Sequence, residues 1–312
     1  MRFATVRAGT QTLGVVVSPS GSLHPLPGSS VDQLVALGLS RALEIGAEAL
    51  RSAPIASEVT FLAPVRPTCV RDFVTFESHV EGVRRSVDGS SGVPDAWYDA
   101  PTFYFTNPHT IVGPSAEVRR PWGCSALDFE LEVACVLGSG GTSLTEAGAA
   151  QAIFGYTIFN DWSARDLQSR ELKVGLGPAK GKDFCTSIGP WLVTADEFAS
   201  RHDADGFLDL ACTVSVNGTG VGHDRLTSMG WTFPTMIAYA SRDSVVAAGD
   251  LLASGTTGGG GCLAELWGRA GTQDPPPLEP GDVVAITVDG LGTLTTTVAE
   301  GHPVPPLTPF RK

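Results

Sequence analysis

Alternating and helical apolar spacings divide the chain into segments of different character. Met1–Gly9, Gln11–Ser18 and Gly21–Pro27 read as short strands broken by Gly and Ser. Val31–Ala53 carries apolar residues at helical spacing. Phe61–Pro67 (FLAPVRP) is punctuated by proline and sets residues 1–62 apart as a small N-terminal β-rich domain, leaving 63–312 as the main one. Within that part, Phe73–Ser86 mixes a short strand with a helix, and Ser86–Pro101 is a polar loop of the length expected of a lid. Leu127–Leu137 (LDFELEVACVL) reads as one strand. Ser143 stands three residues before Glu146, a capping-box spacing that opens a helix to about Phe154. Gly155–Phe159 is a strand running into Asn160 and Asp161, with further strands at Pro190–Thr194, Leu210–Val216, Asp250–Ala253 and Val283–Val288. Many short strands with few helices predict a β-rich α+β fold.

The chain has 312 residues, 42% of them hydrophobic, enough for one large domain and a small one. The formal net charge of −12 leaves no basic footprint for nucleic acid. No apolar run approaches the length of a membrane span, and the N-terminus lacks the pattern of a secretory leader. A cytoplasmic protein with no membrane partner is expected. The six cysteines are dispersed without a C-x-x-C pair and are expected to be reduced and mostly buried.

Glu130 and Glu132 are two apart on a strand, so they face one way while Phe129, Leu131 and Val133 face the other. Asp128 shares the acidic side. Buried and unpaired, such carboxylates would be very costly, and a divalent cation resolves the conflict. A solvent-exposed strand face explains the same pattern. Asp161 ends another strand and offers a further carboxylate. Arg165 and Gln168 follow at a spacing that sets them side by side on a helical turn. Lys180 and Lys182 lie in a Gly-rich turn, where a lysine is ordinarily solvated. Oxygen donors without a His or Cys cluster suit Mg2+, Mn2+ or Ca2+ rather than zinc. No G-x-S-x-G elbow is present, which favours direct attack by water over an acyl-serine path.

From about Thr68 to Pro303 the chain resembles the fumarylacetoacetate hydrolase superfamily, through RDFVTFESH, LDFELEV, NDWSARDLQ and ASGTTGGGGCLAELW taken together. The resemblance implies a mixed β-sandwich roll with a small N-terminal domain, and a homodimer. It implies Asp72, Glu130, Glu132 and Asp161 as metal ligands, His79 as the catalytic base and Glu265 as the acid that orients it. Arg165, Gln168 and Lys182 fall on the oxyanion-stabilising and substrate-binding positions, and Thr256 on a substrate contact. The implied reaction is hydrolysis of a carbon–carbon bond in a β-diketo acid such as fumarylacetoacetate, fumarylpyruvate or an acylpyruvate.

Three positions depart from the family pattern. The spacing from Gln168 to Lys182 is one residue longer than in animal hydrolases, which makes Lys180 a second candidate for the lysine. Thr106 stands where many bacterial relatives carry lysine. The decarboxylase and isomerase branch places a Glu three residues after the histidine; here that residue is Gly82, with Glu81 and Glu77 nearby. A decarboxylase or isomerase of a 2-keto acid is the alternative reading, and a non-catalytic, metal-stabilised binding protein a third. Trp162, Trp191, Trp231 and Trp267 are expected in the core, and Tyr98, Phe76 and Phe103 near the substrate.

Overall fold

The computed structural model describes residues 1–87 and 89–311; Asp88, in the expected lid loop, and Lys312 lie outside the described residues. The first strand, Arg2–Ala8, pairs with Gln11–Val17 on one side and with Thr186–Thr194 on the other, Arg2 opposite Val193. Residues 1–62 therefore contribute strands to the same eleven-stranded sheet as the rest of the chain. The helical spacing after Val31 resolves into two helices, Val31–Leu37 and Leu39–Ala49, the first opened by a Ser30–Gln33 capping box. The break falls at Gly38, whose φ of 83° a residue with a side chain rarely adopts. Leu34, Val35, Ala42 and Ile45 pack on Phe154, Phe159, Ile188 and Leu251 of the sheet.

At the centre of the sheet, Leu131–Leu137 runs antiparallel to Ile153–Asp161, and both are buried along their whole length. Alternation divides the first between two cores. Leu131, Val133 and Cys135 enter the core shared with a second, five-stranded sheet, while Ala134 and Val136 enter the one beneath the N-terminal helices. A strand covered on both faces reads as a nearly continuous apolar run. The fold is α+β and sheet-rich, as expected. No helix among the described residues is long and apolar enough to cross a membrane.

Two local expectations need correction. The run Leu127–Leu137 is not one strand. Leu127–Asp128 pairs with Ser163–Ala164, and Leu131–Leu137 with Ile153–Asp161, so the ladder changes partner at Phe129–Glu130. There the Glu130 amide donates instead to the Asn160 side chain, at 3.0 Å. The helix Glu146–Ala152 is capped by Thr145, which accepts from the Gly148 amide, whereas Ser143 adopts a φ of 48° outside the helix. Two helices escaped the apolar pattern, Phe233–Ala240 and Leu263–Ala270. The second packs against Glu77–Val87 at paired glycines: a Cβ on Gly268 would stand 2.0 Å from the Gly82 carbonyl oxygen, and one on Gly82 2.5 Å from Cγ of Glu265.

Candidate active site

The strand ends bring acidic groups together. Asp72 comes from Val70–Phe73, Glu132 from Leu131–Leu137 and Asp161 from Ile153–Asp161. One carboxylate oxygen from each lies within 4.8 Å of the others, and all three residues are buried. Oδ1 of Asp72 and Oδ1 of Asp161 are buried without a hydrogen-bond partner. Burial, then repulsion from Asp161, pushes the Asp72 carboxyl well above the usual range; burial, then Asp72 and Glu130, does the same to Glu132. Buried oxygens without a hydrogen-bond partner and mutually repelling carboxylates are what a bound cation relieves, so the donor set fits a hard divalent cation.

Glu130, the fourth expected ligand, is not within that group. Its carboxylate is taken by Lys182 Nζ at 2.5 Å and Arg165 Nη2 at 2.7 Å. Burial works against its charge, yet these two cations hold it ionised below the ordinary carboxylate range. Lys182 Nζ also lies 2.5 Å from Asp161 Oδ2. Lys182 is therefore buried beside these carboxylates, while Lys180 is exposed and paired with Asp183.

His79 projects from Glu77–Val87 and is 8% exposed. Burial, opposed by Glu130, lowers its pKa from 6.5 to about 4, so the imidazole is neutral near pH 7. Glu265 Oε2 lies 4.0 Å from Nδ1, longer than a hydrogen bond. The nearer neighbour is Cys262 Sγ at 3.8 Å, which also caps its helix by accepting from the Glu265 amide at 3.4 Å. Burial raises the Glu265 carboxyl to about 7 against the pull of Arg269, one helical turn on. The direct His79–Glu265 hydrogen bond expected of an orienting acid is thus replaced here by a Cys262 contact.

Arg165 and Gln168 stand on the helix Arg165–Leu172 and touch each other, Nη1 to Oε1 at 3.1 Å. Arg165 is aimed by Asp128, which accepts from Nε at 2.8 Å and Nη2 at 2.7 Å. The same carboxylate accepts the first amides of the Glu265 helix, Leu263 at 2.8 Å and Ala264 at 3.0 Å. Thr256 donates to Glu132 at 3.3 Å.

These groups border a cavity of about 220 Å3, lined by His79, Arg165, Gln168, Lys182 and Thr256 together with Asp72, Glu130 and Glu132. Val74, Val80 and Val83 make an apolar wall. Asp161 and Glu265 are not in the lining; they stand behind Lys182 and His79. Tyr104 is in the lining and was missed. It lies across the ladder from Asp72, and its hydroxyl donates to Asp72 Oδ2 at 2.7 Å and also lies against Asp161 Oδ2. Alternation in Phe103–Phe105 carried the signal, because Tyr104 must face away from Phe103 and Phe105. Phe76 is fully buried, Phe103 packs on Phe73, and Tyr98 is exposed beside Glu77, so none of these three expected neighbours reaches the cavity.

A family model described as fumarylacetoacetate (FAA) hydrolase C-terminal matches residues 68–299, well over half of the chain. The chain belongs to the fumarylacetoacetate hydrolase family. Within it, a fumarylacetoacetase of Dictyostelium discoideum is 30% identical over 246 residues, covering 65% of this chain and 57% of that protein. The oxaloacetate tautomerase YisK of Bacillus subtilis is 29% identical over 243 residues, covering 78% and 74%. The solved fumarylacetoacetate hydrolase of Exiguobacterium antarcticum shares the fold at a TM-score of 0.75, with 24% identity over 96% of this chain and 99% of that one. The chain spans less than two thirds of the fumarylacetoacetases it matches. Members of the fumarylacetoacetate hydrolase family are enzymes, and their names cover more than one reaction.

Two departures from the family pattern have physical counterparts. Gly82 leaves room for Glu265, which a side chain at 82 would strike. Glu81 pairs with Arg85 at 2.6 Å and Glu77 accepts from Tyr98, so neither faces His79. Thr106 borders a neighbouring cleft with Lys180, outside the cavity.

Proposed function

We propose that this protein is a divalent-metal-dependent hydrolase that cleaves the carbon–carbon bond of a 1,3-diketo acid, of the acylpyruvate, fumarylpyruvate or fumarylacetoacetate kind. The observation that carries the reading is a neutral, buried His79, backed by Glu265 and Cys262, on the same cavity as Arg165, Gln168 and Lys182. A decarboxylation needs an electron sink and no base; a base beside a set of alkoxide donors is what hydrolysis adds.

Asp72, Glu132 and Asp161 would hold the ion, with Glu130 adjacent through Lys182. Mg2+ or Mn2+ held there would supply Lewis-acid polarisation of the keto-acid oxygens and lower the cost of an enolate leaving group. His79 takes a proton from water, and the oxygen adds to the carbonyl carbon distal to the carboxylate. Arg165, Gln168 and Lys182 donate to the alkoxide that forms, each such bond being worth roughly 3–4 kcal/mol when removed. The alkoxide collapses, the carbon–carbon bond breaks, and its electron pair leaves as the enolate of the 2-keto acid. His79 returns the proton to carbon, giving a carboxylic acid and a 2-keto acid. Glu130 favours the protonated imidazole by its charge. The wall of Val74, Val80 and Val83 receives the acyl tail.

A second reading is supported by the Bacillus tautomerase: the same base moving a proton between carbon and oxygen of a keto acid. Assay of acylpyruvates and oxaloacetate in 18O-labelled water separates them. Hydrolysis puts one label into the released carboxylic acid. Enol–keto exchange or CO2 release, with no diketo acid cleaved, contradicts the hydrolase reading.

A further inference from the structure

The helix that carries Arg165 and Gln168 ends in a carboxylate, Glu171, whose place is poor for the helix itself. A negative charge in the last turn meets the negative end of the helix dipole. Its partners lie elsewhere. Oε2 of Glu171 accepts from the amides of Ala179 at 3.2 Å and Gly181 at 3.1 Å, and Oε1 from that of Lys180 at 2.5 Å. Three successive amides turned on one anion form a nest, closed here by the Lys182 amide donating to the Ala179 carbonyl at 3.0 Å. Gly181 lets this turn press on the helix: a Cβ there would stand 2.7 Å from the Gln168 nitrogen. The intervening loop does little to place the turn, because its apolar residues Val174 and Leu176 are 74% and 69% exposed. The next residue is Lys182, whose long chain must be delivered to one point between Glu130 and Asp161. Ordering such a side chain costs conformational entropy, and a fixed backbone reduces what is left to order.

We infer that Glu171 is a positioning residue for Lys182. It touches neither the cavity nor the acidic cluster, and it docks the lysine-bearing turn onto the helix that presents Arg165 and Gln168, so that the three donors keep one geometry. The inference rests on the hydrolase reading, in which Lys182 stabilises the alkoxide.

The test is a double-mutant cycle on kcat, using the full chain loaded with Mn2+ and an acylpyruvate it cleaves, with Glu171→Gln, Lys182→Met and the pair. Lys182→Met alone tests the role of the lysine in the hydrolase reading. Glu171→Gln is expected to lower kcat roughly 10- to 100-fold when Lys182 is present and by less than about twofold in the Lys182→Met background. Equal factors in both backgrounds overturn the inference. A readout independent of turnover is acetylation of Lys182 by N-hydroxysuccinimide acetate, followed by peptide mass spectrometry. It is expected to be at least about fivefold faster in Glu171→Gln than in the parent as the turn opens locally; an unchanged rate overturns the inference. If no diketo acid is cleaved, the hydrolase reading fails and the labelling rates alone decide whether Glu171 positions Lys182.

Discussion

Nδ1 of His79 has two neighbours at nearly equal range, Cys262 Sγ at 3.8 Å and Glu265 Oε2 at 4.0 Å. A base that takes a proton through Nε2 must carry its own proton on Nδ1, so the thiol sulfur has to accept. Cys262→Ala removes that acceptor and is expected to lower kcat about tenfold, with Cys262→Ser restoring most of it; equal loss in both variants contradicts the tautomer argument. The two titrating groups also act on stability in opposite directions. His79 is lowered from 6.5 to about 4, so its contribution is complete above 6.5 and is lost as pH falls through 4. Glu265 is raised from 4.5 to about 7, so its contribution is complete below 4.5 and is lost as pH rises through 7. In the parent the two offset each other between pH 4.5 and 6.5, so Glu265→Gln is expected to make the slope of Tm against pH more positive between 4.5 and 7 in the metal-free protein, as read by calorimetry; an unchanged slope removes Glu265 from that role.

Between elements, the decisive contact is the pair of glycines where Glu77–Val87 crosses Leu263–Ala270. It sets His79 against Glu265 by backbone approach. Gly268→Ala places a Cβ 2.0 Å from the Gly82 carbonyl, so the helices must separate. A displacement near 1 Å at a base costs about 100-fold, and kcat should fall by that order with Mn2+ affinity unchanged; near-parental kcat argues against a rigid His79 platform. This contact also marks the limit of what could be read beforehand. The acidic strand end was legible because Glu130 and Glu132 interrupt an apolar run at a two-residue period. Arg165 and Gln168 were legible from helical spacing. The Glu265 helix was hidden behind Gly258–Gly261, since a glycine run signals a loop and its cap is a cysteine rather than Ser or Asp. Asp128 looked like one more acidic residue; only the tertiary fold reveals that it joins Arg165 to the start of that helix. Cys262 offered no signal, because a buried thiol is ordinarily just a small apolar group.

For the molecule as a whole, the eleven-stranded sheet is the frame. The proposed boundary at position 62 separates segments that share strand pairing and core: Phe3, Val16 and Leu34 pack with Ile188 and Leu192. Removal of residues 1–62 uncovers that face, and the truncated chain is expected to aggregate or to melt well below the full chain. A truncated chain with the parental Tm would show that residues 63–312 fold independently. The homodimer implied by the family resemblance is tested by sedimentation of the full chain.

Mn2+ binding tests the central claim most directly, because the whole account depends on buried carboxylates converging on one ion beside a base that does not bind it. Calorimetric titration of the parent, Glu132→Gln and His79→Ala is predicted to give one ion per chain in the parent, at least about 100-fold weaker binding in Glu132→Gln, and near-parental affinity in a His79→Ala protein that no longer cleaves substrate. Parental affinity in Glu132→Gln, or undiminished turnover in His79→Ala, would contradict it.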